Sequence, residues 1–194
     1  MRKIVYLHGF ASSGASGTVQ VLRARFRADR VLAPDIPLDP AIALPFLRDF
    51  CAREAPDLLI GTSMGGLYAH QLHGHLRLCI NPAFHLSQHY DILKPGHFKW
   101  LNKRRNGETE GKITKDIIAH FRDMEAHQFD GLDDASRANC WGLFGRSDPV
   151  VHTHDEFVAQ YLPDHALWFD GAHRLNDTIL VRDVIPLLQR LLPA

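Results

Sequence analysis

The sequence of 194 residues has few cysteines, no excess of either charge and no long hydrophobic run. Its cysteines, Cys51, Cys79 and Cys140, form no C-x-x-C pair and lie among apolar neighbours, so we expect reduced residues of the core. Lys and Arg number 22, as do Asp and Glu. This balance argues against nucleic acid or an anionic lipid surface as a partner.

Hydrophobic runs are also too short for a membrane span or a signal peptide. The apolar run that follows Lys3 ends at Leu7, short of the roughly 7 to 15 residues of a signal-peptide core. No stretch reaches the roughly 18 apolar residues that span a bilayer. We therefore expect a cytoplasmic protein without a membrane segment, and its oligomeric state stays open.

Six short apolar runs alternate with helical patterns along the chain. Such runs are typical of strands buried on both faces, and their alternation with helices predicts a parallel sheet of about six strands with helices on both sides. A chain of this length forms one core, so we expect a single domain over residues 1–194. The predicted strands are residues 4–7, 31–33, 58–60, 76–80, 140–144 and 166–169.

The predicted helices carry a few local signals. The second helix starts either at Asp39-Pro40, which resembles a capped start, or near Pro45, which disfavours an earlier one. Another helix follows Thr114, one from Thr153 to Tyr161 has a capping box with Glu156, and the last is kinked at Pro186. Residues 82–113 are polar and irregular, and we expect a lid or substrate wall within residues 82–130.

The strongest chemical signal is the sequence Gly61-Thr62-Ser63-Met64-Gly65-Gly66, between a predicted strand and a predicted helix. This G-x-S-x-G pattern predicts a nucleophile elbow of an α/β-hydrolase, with Ser63 as the nucleophile. Gly61 and Gly65 approach each other so closely in such a turn that side chains there would clash.

A serine nucleophile needs a base, an acid that orients the base, and donors for the oxyanion. In the order serine, acid, histidine, Asp148 and His173 each follow a strand, with Asp170 and Asp177 as other candidate acids. The amides of Phe10 and Met64 are the predicted oxyanion donors. We expect a structural role for His8.

Other charged groupings have simpler interpretations than a metal or cofactor site. The histidines at positions 70, 73 and 75 lie near a helix end, where histidine is common. The group His152, His154 and Asp155 lacks metal-site spacing. The basic residues 99–105 are interpreted as a solvated face. We predict no metal and no cofactor.

The sequence is similar to the small YqiA/YcfP-like esterases of the α/β-hydrolase superfamily. The similarity is carried by the start Tyr6-Leu7-His8-Gly9-Phe10, by the elbow 61–66 and by Asn81-Pro82-Ala83. It implies a three-layer α/β-hydrolase fold and a triad of Ser63, Asp148 and His173.

The predicted function is hydrolysis of small acyl esters or thioesters through an acyl-enzyme, with a preference for short acyl groups. Lactone hydrolysis, C–C bond hydrolysis and a non-catalytic binding role remain alternatives, because the pocket rather than the triad sets specificity. We expect Phe84, Phe98 and Trp100 to contact the substrate. The partner is a small molecule.

Overall fold

The computed structural model describes residues 2–193. Its strands are β1 (Ile4–Leu7), β2 (Val31–Leu32), β3 (Leu58–Thr62), β4 (Arg77–Ile80), β5 (Gly96–Lys99), β6 (Glu110–Ile113), β7 (Cys140–Gly145) and β8 (Ala166–Phe169). Six of them form one parallel sheet in the order β2-β1-β3-β4-β7-β8, while β5 and β6 form an antiparallel hairpin. The predicted six-stranded parallel sheet is confirmed.

The helices are α1 (Gly17–Phe26), α2 (Pro40–Glu54), α3 (Met64–Ala69), α4 (Lys115–Ala126), α5 (Asp134–Ala138), α6 (His154–Gln160), α7 (Asp177–Ile179) and α8 (Ile185–Leu191). Helix α2 takes the earlier of its two possible starts, because the side chain of Asp39 accepts a hydrogen bond from the amide of Ala41. Thr114 caps α4 in the same way, by accepting from the amide of Ile117 at 3.2 Å.

The C-terminal helical segment widens where a kink at Pro186 is predicted. Proline has no amide hydrogen, so the regular pattern of hydrogen bonds cannot pass through it. Residues Leu180–Val184 form a π-helical turn, in which the amide of Ile185 donates to the carbonyl of Leu180. Helix α8 then continues from Ile185.

Alternate residues of each central strand pack on opposite faces of the sheet. Ile4 and Tyr6 of β1 belong to a core cluster with residues of α1 and α8, whereas Val5 and Leu7 belong to a cluster with residues of α2, α3, α4 and α6. We call these the α1–α8 face and the α2–α6 face. The three cysteines are buried and unpaired, as predicted.

The strand order reverses between β1 and β3. From β1 the chain moves outward to β2 through α1, and it then returns through α2 to β3 on the other side of β1. The loops that leave the carboxyl ends of β1 and β3 therefore diverge to opposite faces, which opens a crevice above the sheet. Both the predicted nucleophile and the predicted oxyanion loop lie at this crevice.

Residues 82–113, predicted to be irregular, contain a short 3-10 helix at Leu86–Gln88 and the β5–β6 hairpin. The hairpin strands are mostly exposed, so their sequence has no alternation of apolar and polar residues. Among the helices formed by residues 2–193, none is long and apolar enough to cross a membrane.

Candidate active site

Ser63 occupies the single residue between the end of β3 and the start of α3. Its backbone has φ 54° and ψ −116°, a strained conformation for a residue with a side chain. The amide of Ser63 donates to the carbonyl of Ile80 at 3.0 Å, and its carbonyl accepts from the amide of Ala83 at 3.2 Å. Hydrogen bonds to the neighbouring strand β4 and to the loop after it thus hold the strained residue in place.

Glycines allow the chain to turn sharply at this residue. A Cβ atom at Gly61 would lie 2.1 Å from the carbonyl oxygen of Gly65, and one at Gly65 would lie 2.0 Å from the carbonyl oxygen of Leu7. At Gly66 a Cβ would lie 2.9 Å from the Cα of Pro82. Larger residues at positions 61 and 65 would therefore force the backbone apart.

Ser63, His173 and Asp148 form a continuous hydrogen-bonded chain. His173 lies 2.9 Å from Ser63, measured from Nε2 to Oγ, and 2.8 Å from Asp148, measured from Nδ1 to Oδ2. An ionised carboxylate can only accept, so Nδ1 carries the proton and Nε2 is free to accept from the serine hydroxyl. The structure thus brings the three predicted residues together in the arrangement of a triad.

Asp148 is held as an anion although its residue is only 6% exposed. Burial alone would raise the pKa of Asp148, but hydrogen bonds from His173 and from the amides of Val150 and Val151 outweigh it and lower the pKa. The two amides donate to Oδ1 at 2.7 Å and 3.1 Å, which leaves Oδ2 for His173. The other candidate acids, Asp170 and Asp177, make no hydrogen bond to His173 among the described contacts.

Asn81 joins the loops that carry the acid and the base. Its side-chain amide donates to the carbonyls of Ala172 and His173 at 3.2 Å and 3.1 Å, and its side-chain oxygen accepts from the amide of Gly145 at 2.7 Å. In the sequence, Asn81 stands out only as part of the Asn81-Pro82-Ala83 motif, which does not predict this role. Its position at the end of β4, beside β3 and β7, was the available signal.

The amides of Phe10 and Met64 lie in the two loops where oxyanion donors were predicted. Met64 is the first residue of α3, so its amide has no partner within the helix. Within residues 2–193, neither amide donates to another backbone or side-chain group. Phe10 and Ser63 line the same cavity, and Met64 follows Ser63 directly. An oxyanion site requires free donors of this kind.

His8 stabilises the loop after β1, which carries Phe10. It is completely buried, its Nδ1 donates to the carbonyl of Gly9 at 2.8 Å, and its Nε2 accepts from the amide of Ile36 at 3.0 Å. Burial lowers the pKa of His8 to about 4. A neutral, fully hydrogen-bonded ring away from the serine agrees with the predicted structural role.

The residues around the β5–β6 hairpin attach to the same loop. Three hydrogen bonds connect them: Leu101 N to Ala11 O at 2.7 Å, Asn102 Nδ2 to Ser12 Oγ at 3.0 Å, and Ser13 Oγ to Lys103 O at 2.8 Å. The phenyl ring of Phe98 also packs on that of Phe10, with centroids 4.9 Å apart.

An open cavity of about 540 Å³ surrounds Ser63 and His173. Much of its lining is apolar, and residues of the segment 82–113 contribute to it. The lining residues are Tyr6, Gly9, Phe10, Ala11, Ser12, Ser16, Thr18, Thr62, Ser63, Ala83, Leu86, His89, Ile92, Leu101, Asn102, Val150, Val151, His173, Arg174 and Leu175.

The three aromatic residues predicted to contact substrate lie outside this lining. Phe84 is completely buried in the core and packs on His70 with ring centroids 4.8 Å apart, so the prediction for Phe84 needs correction. Its neighbours in sequence, Ala83 and Leu86, line the cavity instead. Phe98 supports Phe10 from behind rather than facing the cavity.

Trp100 lines a separate groove of about 690 Å³ that does not include Ser63. The guanidinium of Arg104 lies over the Trp100 ring, 4.1 Å from its centroid, and Arg104 is only 5% exposed. The interpretation of residues 99–105 as a solvated face is therefore wrong for Arg104. Its long side chain packs on the aromatic ring instead of extending into water.

The remaining sequence signals also have structural roles. Thr153 Oγ1 donates to the carbonyl of Pro82 at 2.8 Å, and the Glu156 carboxylate pairs with His85 at 2.8 Å, so the predicted capping box does not form. His70 is buried between Tyr161 and Gln128. In the part of the chain that the structure describes, no three His, Cys, Asp or Glu side chains converge as metal ligands would.

The chain also matches a known protein family. The profile of a family described as "Uncharacterised protein family (UPF0227)" matches residues 3–180. The chain belongs to this family. UPF0227 comprises the YqiA/YcfP-like proteins, so the resemblance seen in the sequence motifs is confirmed. No curated protein matches this UPF0227 chain in sequence.

Solved structures share the fold of this UPF0227 protein. A hydrolase from Agrobacterium vitis S4 has a TM-score of 0.68 at 16% identity and covers 98% of this chain and 87% of its own. A Paleococcus ferrophilus monoacylglycerol lipase has a TM-score of 0.67 at 14% identity, and the match covers 97% of this chain and 93% of the lipase chain. A thioesterase domain from the curacin biosynthetic pathway has a TM-score of 0.58 at 15% identity, and the match covers 98% of this chain and 91% of that domain. At such identities the likeness establishes the α/β-hydrolase fold alone.

Proposed function

We propose that this protein is a serine hydrolase that cleaves small acyl esters or thioesters through an acyl-enzyme. The observation that carries the proposal is the hydrogen-bonded chain from Ser63 through His173 to Asp148, at the wall of an open cavity. The fold neighbours described as a lipase and a thioesterase domain support the same class of chemistry.

The geometry supports a two-step acyl transfer. As Ser63 Oγ attacks the acyl carbon, its proton moves to Nε2 of His173, and Asp148 stabilises the resulting imidazolium. The carbonyl oxygen becomes an oxyanion that accepts hydrogen bonds from the amides of Phe10 and Met64. His173 then gives its proton to the leaving oxygen or sulfur.

Release of the acid repeats these steps with water. His173 takes a proton from a water molecule, the resulting hydroxide attacks the acyl carbon, and the bond to Ser63 breaks as the proton returns to Oγ. Each oxyanion donor is worth about 10² to 10³ in rate. No step in this sequence uses a metal or a cofactor.

The walls of the cavity favour a short acyl group. Leu86, Ile92 and Val150 offer an apolar surface, but the cavity is open and the exposed side chain of Leu101 lies at its rim. We propose that residues 82–130 act as the substrate wall, since several of them line the cavity. The unpaired cysteines fit a reducing compartment, so the proposal places the enzyme in the cytoplasm.

Labelling with a fluorophosphonate probe tests the nucleophile. We expect covalent modification of Ser63 in the wild type, none in Ser63→Ala, and a loss of kcat of about 10⁴-fold or more in that variant. Ser147→Ala is the matched control, because Ser147 is an exposed serine in the Asp148 loop. Labelling that persists in Ser63→Ala would refute the assignment.

A series of 4-nitrophenyl esters from acetate to dodecanoate, together with matched thioesters, tests the substrate class. We expect the highest kcat/KM at the short end of the series, because the cavity is open and the end of a long chain would extend into water. An optimum at dodecanoate would contradict the proposed preference.

A further inference from the structure

One part of the active-site cavity is lined by hydroxyl groups that the proposed acyl transfer does not use. The residues are Tyr6, Ser16, Thr18 and Thr62, and we call them the hydroxyl cluster. The hydroxyls of Tyr6 and Thr62 lie 2.8 Å apart. Burial raises the pKa of Tyr6, and hydrogen bonds with Thr62 and Thr18 act against this. Tyr6, Thr62 and Thr18 are therefore connected, and the tyrosine remains uncharged.

Ser16 is the member of the cluster without a partner. It is only 7% exposed, and its Oγ makes no hydrogen bond within the described chain. Ser16 is also the N-cap of α1, yet its side chain does not cap the helix. A buried hydroxyl without a partner is unfavourable in the free protein, and a ligand oxygen in the cavity would satisfy it.

The charges around the cluster favour an anion. The residues that line the cavity include Arg174 but neither Asp nor Glu. The cluster lies at the N-terminal end of α1, which carries partial positive charge, and the first turn of α1 contains no acidic residue that would neutralise it. An anionic group in this part of the cavity would meet hydroxyl donors and no carboxylate from a lining residue. The Asp35 carboxylate lies beside the loop before α1, but the amides of Gly14 and Arg105 already donate to it at 2.8 Å and 2.6 Å.

The cluster lies on a different side of the sheet from the apolar wall. Tyr6 belongs to the core cluster of the α1–α8 face, whereas Ala83, Leu86 and Val151 belong to that of the α2–α6 face. Ser63 stands between the two faces, at the end of β3. The cavity thus offers two chemically different subsites to the two parts of an ester.

We infer that the hydroxyl cluster, with Arg174, binds an anionic oxygen group of the substrate, either a carboxylate or a phosphate. This inference rests on the proposed hydrolase function and narrows its substrate class to esters that carry such an anion. Ser16 and Thr18 contact the anion, and Arg174 adds a positive charge at the solvent side. Neutral esters of the same size bind without these interactions.

A matched pair of substrates tests the inference. The first is mono-4-nitrophenyl glutarate, which carries a carboxylate, and the second is its neutral methyl ester. We expect wild-type kcat/KM to favour the anionic substrate, and Ser16→Ala and Thr18→Val each to lower this ratio by about tenfold, the value of one hydrogen bond to a charged group. Thr178→Val removes an exposed threonine hydroxyl elsewhere and is the control that retains the ratio.

The charge contribution is tested separately with Arg174→Gln and the matched control Arg146→Gln, an exposed arginine that does not line the cavity. We expect only Arg174→Gln to lower the ratio, and the difference to shrink as salt is added. Competitive inhibition of neutral-ester hydrolysis by glutarate or by inorganic phosphate then identifies which anion the cluster prefers.

The outcomes separate this inference from the proposed function. Suppose that the wild type is labelled at Ser63 and hydrolyses both esters, but that Ser16→Ala, Thr18→Val and Thr178→Val all have the wild-type ratio of kcat/KM for the anionic and neutral esters. That result refutes the anion subsite alone. A wild type without labelling at Ser63 refutes the proposed function. Because Ser16 Oγ has no partner to lose, Ser16→Ala should unfold at no lower a temperature than wild type, which excludes misfolding as the cause of a lower ratio.

Discussion

The buried His8 predicts a loss of stability in mild acid. Its neutral ring fits its surroundings, since Nδ1 donates to Gly9 and Nε2 accepts from the amide of Ile36. A second proton would sit on Nε2 and face the hydrogen of that amide, so protonation breaks a buried hydrogen bond and leaves a charge without solvent. The group therefore ionises far less readily in the folded chain than in the unfolded one.

The size of the effect follows from the pKa of His8 in the two states. The pKa is about 4 in the folded protein and about 6.5 in the unfolded chain. The stabilisation from a neutral His8 is complete above pH ~6.5 and is lost as the pH falls from there to ~4, because the unfolded state binds the proton first. Over this window the loss is about 3 kcal/mol, a large part of the roughly 5 to 15 kcal/mol that stabilises a domain.

Urea unfolding at a series of pH values, followed by tryptophan fluorescence, measures this loss. In His8→Gln the side-chain oxygen can still accept from Ile36, but the group no longer titrates. Between pH ~6.5 and ~4, we expect the free energy of unfolding to fall more steeply in wild type than in the variant. The difference between the two slopes should be about 1.4 kcal/mol per pH unit. His70, whose pKa burial lowers to about 3, contributes equally to both proteins and cancels. Equal slopes in the two proteins would refute the reasoning.

Two further predictions concern the triad and the elbow. Asp148→Asn should lower kcat by about 10⁴-fold, because the amides of Val150 and Val151 hold the side-chain oxygen and turn its NH₂ group toward His173, which reverses the tautomer; a steady-state assay with an unchanged unfolding curve checks this, and an activity near wild type would contradict it. Gly61→Ala should cost about 3 kcal/mol or more in urea unfolding, because its Cβ meets backbone atoms. Gly17→Ala, whose Cβ meets open space, is the control, and equal costs for both would disprove the steric argument.

The sheet could be predicted because its signal is local. Each central strand is a short apolar run, and the order of serine, acid and histidine along the chain restricted the thirteen histidines to one candidate base. The structure places that histidine beside Ser63. Prediction of the sheet succeeded because a few consecutive residues determine each strand.

The remaining features depend on contacts between distant residues. The β5–β6 hairpin is exposed, so no apolar alternation marks its strands. Phe84 resembles a pocket residue in sequence, but in the structure its ring packs in the core against the rings of His70 and Phe129. The side chains of Thr153 and Glu156 form hydrogen bonds with Pro82 and His85, far away in sequence, instead of with their own helix.

The three hydrogen bonds between residues 101–103 and the loop after β1 have a consequence for engineering. Exchanging the hairpin for that of a relative, as a way to change selectivity, would also shift the backbone that carries the Phe10 amide. A change of the hairpin that is meant to alter selectivity would therefore also alter turnover. A transplanted hairpin would retain catalytic speed only if the loop of residues 8–13 were transplanted with it.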